Sequence, residues 1–121
     1  MNTHALRVQE YLGHILEAIK RIGSYTEDLT EVAFLESKMV QDAVIRNFEI
    51  IGEAARNIER NIPDFAAKHE DIPWTLIYTM RNRVAHGYFS VDLEIVWKTI
   101  HQDLPVLTAQ IRALLDDAGK D

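Results

Sequence analysis

One stretch of the chain, residues 81–88, carries the side chains best suited to acid–base and phosphate chemistry. Asn82 and His86 are four residues apart on a predicted helix, so the amide can hydrogen-bond to the imidazole and orient it. Arg81 and His86 are separated by about 140° of helical rotation, so they can serve one site only if the helix ends or distorts near His86. Gly87 can provide that ending, because glycine commonly adopts the left-handed conformation just past a helix.

The chemistry that this stretch predicts is proton transfer beside a bound phosphate. His86 can gain or lose a proton near neutral pH. Arg81 can bind a phosphate through two hydrogen bonds and stabilise the charge that develops on it. Asn82 would orient His86 or contact a phosphate oxygen. The alternative is structural: His86 hydrogen-bonds to a helix-end carbonyl, and Arg81 forms an ion pair.

The stretch from Arg81 to Tyr88 resembles the Arg-x-x-x-x-His-x-Tyr signature of the HEPN superfamily, specifically of HepT-type toxins in HepT–MntA toxin–antitoxin pairs. Residues 51–55 are similar to the second helical motif of that family, and Pro73 and Trp74 precede the signature helix in a similar way. The resemblance implies a small, all-helical homodimer that acts as a metal-independent ribonuclease. It also implies a cognate minimal nucleotidyltransferase antitoxin, which silences the ribonuclease by adding AMP to the motif tyrosine.

Tyr88 is the residue to which the resemblance assigns adenylation. A nucleotidyl group there would place a bulky anion beside Arg81 and His86 and block the cationic site. As a structural alternative, Tyr88 and Phe89 would anchor the turn between two helices. For the ribonuclease, we expect attack by the ribose 2′-hydroxyl, leaving a 2′,3′-cyclic phosphate.

Four further residues are candidates for supporting or RNA-binding roles. Glu53 is interpreted as a buried acid that balances Arg81, or alternatively as part of a solvated charged face. Arg46, Arg56 and Arg83 are candidates for lining the path of the RNA, although Arg83 could simply be exposed.

A symmetric homodimer would solve a problem of stoichiometry at the site. Each chain has one motif histidine, His86, and one imidazole cannot readily act as acid and base at once. A dimer would supply two motif imidazoles, one from each chain. Met39, Phe48, Ile50 and Ile62 lie partly outside the predicted core stripe of the second long helix, and such surplus apolar surface suggests a partner.

Composition narrows the class of protein. The 121 residues are expected to form a single domain, residues 1–121, and 47% hydrophobic content suffices for a real core. There are no cysteines, and the other histidines lack metal-site spacing, so we expect neither metal nor cofactor. The sequence shows no signal-peptide or membrane-spanning pattern, which favours a soluble, cytoplasmic protein without a membrane partner.

The net charge of −6 argues against a general nucleic-acid coat protein but permits a local basic cleft. The acidic net charge slightly favours a competing hypothesis about the function of the chain. In that hypothesis the chain is a non-catalytic helical module that docks and orients a partner nucleotidyltransferase. Dependence of toxicity on His86 would separate the two.

The elements that must position these residues are helices. They are predicted to run from Thr3 to Ile22, from Glu27 to Leu35, from Ser37 to Asn61, from Pro63 to Lys68, from Pro73 to near His86, and onward from Val91 or Asp92. Thr26 is the expected cap of the second helix. Pro105 should kink or divide the last one. No segment alternates like a strand, so we predict an all-α, HEPN-like fold, an antiparallel bundle of four main helices plus one or two short ones.

Overall fold

The computed structural model describes residues 3–78 and 92–119, and these residues form seven helices and no strand. The prediction of an all-α fold is confirmed. The helices are α1 (Thr3–Thr26), α2 (Glu31–Glu36), α3 (Lys38–Asn61), α4 (Pro63–Lys68), α5 (Trp74–Tyr78), α6 (Leu93–Gln102) and α7 (Leu104–Gly119). None of these described helices is long and apolar enough to cross a membrane.

Helix α3 lies at the centre of the described bundle, in contact with α1, α2, α4 and α5. Because neighbours approach it from several sides, its buried surface is wider than one narrow stripe. Phe48 and Ile62 are buried in the core, so the prediction that they are surplus apolar surface is wrong. Ile50 is partly buried, and only Met39 of that group is largely exposed.

The end of α1 and the start of α2 differ from the prediction. Helix α1 continues past Gly23 to Thr26, which is buried and donates its hydroxyl hydrogen to the carbonyl oxygen of Ile22 at 2.8 Å. That bond satisfies the hydroxyl inside the helix, so Thr26 does not cap α2. The cap is Thr30, whose Oγ1 accepts from the backbone N–H of Ala33 at 3.1 Å.

A sharp corner joins α2 to α3 within a single residue, Ser37. The Ser37 hydroxyl oxygen accepts from the backbone N–H of Val40 and caps α3. Gln41 reaches back from α3, and its Nε2 donates to the carbonyl oxygens of Phe34 (2.9 Å) and Leu35 (3.1 Å). Both carbonyls belong to the last turn of α2, where the usual i+4 helical partners are missing, and the Phe34 carbonyl also accepts from the Ser37 N–H at 3.2 Å. The corner is therefore fixed by side chains from both helices.

The C-terminal helices follow the prediction closely. Asp92 caps α6 by accepting from the backbone N–H of Ile95 at 3.1 Å. Only Asp103 separates α6 from α7, and Pro105 lies in the first turn of α7, where a missing N–H costs nothing. Of the two outcomes predicted at Pro105, a kink or a division of the helix, the structure has the division into two nearly continuous helices. Helix α7 packs against α1 and α6.

Candidate functional site

The predicted catalytic and modification residues lie outside the described residues. Arg81, Asn82, Arg83, His86 and Tyr88 all fall between residues 79 and 91. Their roles therefore stay predictions. The structure does describe the segment that leads into them and the other supporting candidates.

Trp74 anchors the start of α5, the helix that leads toward Arg81. Its ring is buried, and its indole Nε1 donates to the carbonyl oxygen of His69 at 3.1 Å. Phe65 of α4 lies 6.2 Å from it, measured between ring centroids. Ile72 and Ile77, on either side in sequence, are buried as well. Buried apolar side chains thus hold this segment on both sides of the tryptophan.

A polar contact fixes α5 along α3. The hydroxyl of Thr75 donates to the carboxylate of Glu59, with its oxygen 3.1 Å from Oε2 and 3.4 Å from Oε1. Glu59 belongs to the last two turns of α3, and α5 packs against that helix. This hydrogen bond therefore fixes α5, the last described helix before the motif, relative to α3.

Two supporting candidates, Arg46 and Glu53, line one open pocket of about 400 Å³ beside α3. The full lining is His14, Arg46, Glu49, Ile50, Glu53, Ala54 and Asn57. Arg56 is exposed and does not line this pocket. Glu53 is also exposed, so the interpretation of Glu53 as a buried acid is wrong, and the exposure agrees with the alternative of a solvated charged face.

Arg46 is not free of acidic neighbours. Its Nη1 lies 3.4 Å from Oε2 of Glu49, and the two side chains are 71% and 42% exposed. Ion pairs this exposed contribute at most about 1 kcal/mol. Arg46 can therefore separate from Glu49 and contact another anion at little cost.

His14, which the sequence does not single out, also lines this pocket. It lies on α1, far in sequence from Arg46 and Glu53. The packing of α1 against α3 brings His14 close to Arg46 and Glu53. A hydrogen bond between the same two helices, from Asn61 Nδ2 to the Tyr11 hydroxyl at 3.2 Å, helps to fix how they align. Residue spacing in the sequence does not indicate how α1 aligns with α3, so the sequence could not identify His14 as a pocket residue. Among the described residues, no group of three histidine or acidic side chains is arranged to hold a metal.

An all-α bundle in which a buried tryptophan leads into an Arg-x-x-x-x-His-x-Tyr sequence is the architecture expected of a HEPN-type domain. Residues 15–114 match the family described as Ribonuclease HepT-like. The chain belongs to this HepT-like ribonuclease family.

Several named relatives are similar to this chain over most of its length. A "Probable ribonuclease HepT" of Thermococcus cleftensis is 42% identical over 106 residues, 88% of this chain and 94% of the relative. A "Putative RNase" of Methanocaldococcus jannaschii is 36% identical over 115 residues, 94% of this chain and 93% of the relative.

A longer relative from the same archaeon carries a double name, "Gamma-glutamylcyclotransferase and putative RNase". It is 42% identical over 114 residues, which is 94% of this chain, but this chain spans only 50% of its length. No solved structure gives a significant match to this chain.

Proposed function

We propose that this protein is a metal-independent RNA endonuclease and the toxin of a toxin–antitoxin pair. The observation that carries the proposal is the presence, in one chain, of family membership over residues 15–114 and an intact Arg81-to-Tyr88 motif. The relatives named as ribonucleases support the activity. The anchoring of α5 by Trp74 and Thr75 supports a fixed approach to the motif.

The proposed reaction is transesterification within the RNA strand. His86 removes the proton from a ribose 2′-hydroxyl, and the 2′-oxygen attacks the adjacent phosphorus. The bond from phosphorus to the 5′-oxygen breaks, and that oxygen takes up a proton. Arg81 stabilises the charge on the phosphate oxygens, and Asn82 orients His86. The products are a 2′,3′-cyclic phosphate and a 5′-hydroxyl.

The proposed active form is a homodimer, in which a second copy contributes the second imidazole. Arg46, Arg56 and Arg83 are proposed contacts for the RNA backbone, with Glu53 as a supporting acid. Exposure of Arg46, Arg56 and Glu53 is compatible with such contacts. A monomeric preparation that cleaves RNA at full specific activity would rule out the shared site.

Cleavage of RNA in EDTA tests the proposed activity directly. We expect unmodified protein to cut RNA at the same rate with and without EDTA and to leave cyclic phosphate ends. Arg81→Ala should lower the rate by about 10²- to 10³-fold, because the charge developing on the phosphate loses its cation. Intact mass must confirm that each preparation is unmodified. Absence of cleavage by unmodified, dimeric protein across varied RNAs would reject the ribonuclease.

The proposed regulation is adenylation of Tyr88 by a cognate nucleotidyltransferase. Incubation with that enzyme and ATP should add one AMP to the wild-type chain and abolish cleavage. Tyr88→Phe should remain unmodified, because it lacks the accepting hydroxyl. Tyr25→Phe is the matched control, since Tyr25 is an exposed tyrosine on α1, and it should be modified like the wild type. Adenylation of Tyr88→Phe, located by peptide mass, would place the acceptor elsewhere.

A further inference from the structure

One hydrogen bond joins the helix that leads toward the motif directly to the central helix of the described bundle. The hydroxyl of Thr75 on α5 donates to the carboxylate of Glu59 on α3, with its oxygen 3.1 Å from Oε2. Glu59 is half-buried, and among the described residues no cation lies within ion-pair distance of its carboxylate. A partly buried carboxylate needs hydrogen bonds in place of water, and bonds to an ionised acceptor are stronger than bonds between neutral groups. Thr75 therefore gives Glu59 a charge-assisted hydrogen bond, and the same bond holds α5.

The other described contacts of α5 constrain its rotation less directly. Trp74 donates to the carbonyl oxygen of His69 and lies against Phe65. Phe65 belongs to α4 and His69 caps its end, and α4 itself contains no fully buried residue. Burial of the Trp74 ring stabilises the packing of α5, but apolar contacts are not directional. Of the hydrogen bonds between described side chains, the Thr75–Glu59 bond is the one that orients α5 relative to α3.

The spacing of the sequence relates Thr75 to the motif. The apolar pattern predicts one helix from Pro73 to near His86. Asn82 follows Thr75 by seven residues, and seven residues turn an α-helix by about 700°, within about 20° of two full turns. His86 follows Asn82 by four residues and is predicted to share its face. In this predicted helix, the face that Glu59 holds at Thr75 is also the face that carries Asn82 and His86.

We propose that Glu59 is a positioning residue for RNA cleavage. Through Thr75 it sets the rotation of the helix that begins with α5, and hence the direction in which Asn82 and His86 project. This inference rests on the proposed function, because the reaction that it serves is the proposed transesterification. Glu59 acts from two helical turns away, about 10 Å along the predicted helix, and has no part in the bond-making steps.

Removal of either partner of the hydrogen bond tests this inference. Thr75→Val keeps the shape of the side chain but removes its hydroxyl, and Glu59→Ala removes the acceptor. Each should lower kcat on a defined RNA by about 10-fold and leave KM within about twofold of the wild type, since misplacing a reacting group by about 1 Å can cost up to about 10²-fold in rate. The double variant Glu59→Ala/Thr75→Val should be no slower than either single variant, because all three lack the same bond.

Conservative variants separate positioning from a general effect on the fold. Thr75→Ser keeps the hydroxyl and Glu59→Gln keeps an acceptor oxygen, so both should retain the kcat of the wild type. Thr108→Val is the matched control, because the Thr108 hydroxyl donates to the Leu104 carbonyl oxygen within α7 at 2.8 Å. It removes a hydroxyl by the same substitution and should cleave RNA like the wild type. Circular dichroism at the assay temperature must show the same helix content for every variant.

The wild type shows first whether the reaction exists. If unmodified, dimeric wild-type protein cleaves no RNA, the proposed function and the positioning role are both rejected. If the wild type cleaves RNA and both Thr75→Val and Glu59→Ala keep its kcat, the ribonuclease stands and the positioning role is overturned. Equal losses in Thr75→Ser and Thr75→Val, or single losses that multiply in the double variant, would also overturn it, because the effect would not come from the shared bond. If Thr75→Val unfolds, the comparison of Glu59→Ala with Glu59→Gln decides in the same way.

Discussion

Replacing His86 with alanine is expected to lower RNA cleavage by about 10²- to 10⁴-fold, the range typical of losing a general acid or base. The expectation follows from the proposed role of the imidazole in removing the 2′-hydroxyl proton. In a shared dimeric site, the substitution removes both imidazoles at once. The measurement is the initial rate on a defined RNA, with equal concentrations of unmodified protein. Toxicity on expression should fall in parallel.

His101→Ala is the matched control for His86→Ala. His101 is an exposed histidine on α6, and local contacts account for its position. Its Nδ1 lies 2.9 Å from the carbonyl oxygen of Trp97, and the two rings are 4.2 Å apart between centroids. We expect His101→Ala to cleave RNA like the wild type. Undiminished toxicity in His86→Ala, together with no RNA cleavage by the wild type, would instead favour the non-catalytic docking module, for which the acidic net charge of −6 is the supporting observation.

Phe48→Ala is expected to cost about 3–5 kcal/mol of unfolding free energy, the range for removing a fully buried aromatic ring. Phe48 has no exposed surface and lies on α3, the helix that packs against four others. Typical domains are stable by only about 5–15 kcal/mol, so this single change would remove a large share of the total. Urea unfolding followed by circular dichroism would measure the shift in midpoint.

Met39→Ala supplies the comparison within the same helix. Both residues look like surplus apolar positions in the sequence, but Met39 is 81% exposed and Phe48 is buried. Truncation of Met39 should change the unfolding free energy by no more than about 0.5 kcal/mol. Equal midpoints for the wild type and Phe48→Ala, with equal slopes, would contradict the placement of Phe48 in the core.

Local signals in the sequence predict most of the helix boundaries. Pro63 can start a helix but not continue one, and α4 runs from Pro63 to Lys68 as predicted. Ser37 and Asn61 likewise mark the two ends of α3. Pro105 divides the last helical region because its ring and missing N–H are tolerated only in a first turn. In each case the deciding interaction is short-range, so the residues themselves carry it.

The errors occur where packing decides. Gly23 and Ser24 look like a helix end, but α1 continues because Thr26 is buried and satisfies its hydroxyl within the helix. Phe48 and Ile62 are misassigned because helical periodicity predicts one buried face, whereas several neighbours surround α3. Neither the number of neighbouring helices nor their positions can be read from the period of a single helix.

For the candidate site, the sequence is informative about the motif and silent about its surroundings. The types and spacing of Arg81, His86 and Tyr88 are local, and they led to the family that residues 15–114 confirm. The pocket that joins Arg46 and Glu53 to His14 depends on how α1 lies against α3. That is a tertiary relation, so it could not be predicted from spacing.

The central position of α3 also determines how parts of the bundle can open independently. Amide hydrogens exchange with water only when their helix opens, and the free energy of opening depends on what the helix buries. Helix α4 contains no fully buried residue and contributes only the partly buried Phe65 and Ala66 to the core, so it can unwind at a smaller cost than α3. Opening α3 would expose the side chains that it buries against four neighbouring helices, α1, α2, α4 and α5. We therefore expect the slowest-exchanging amides of the described helices to lie in α3.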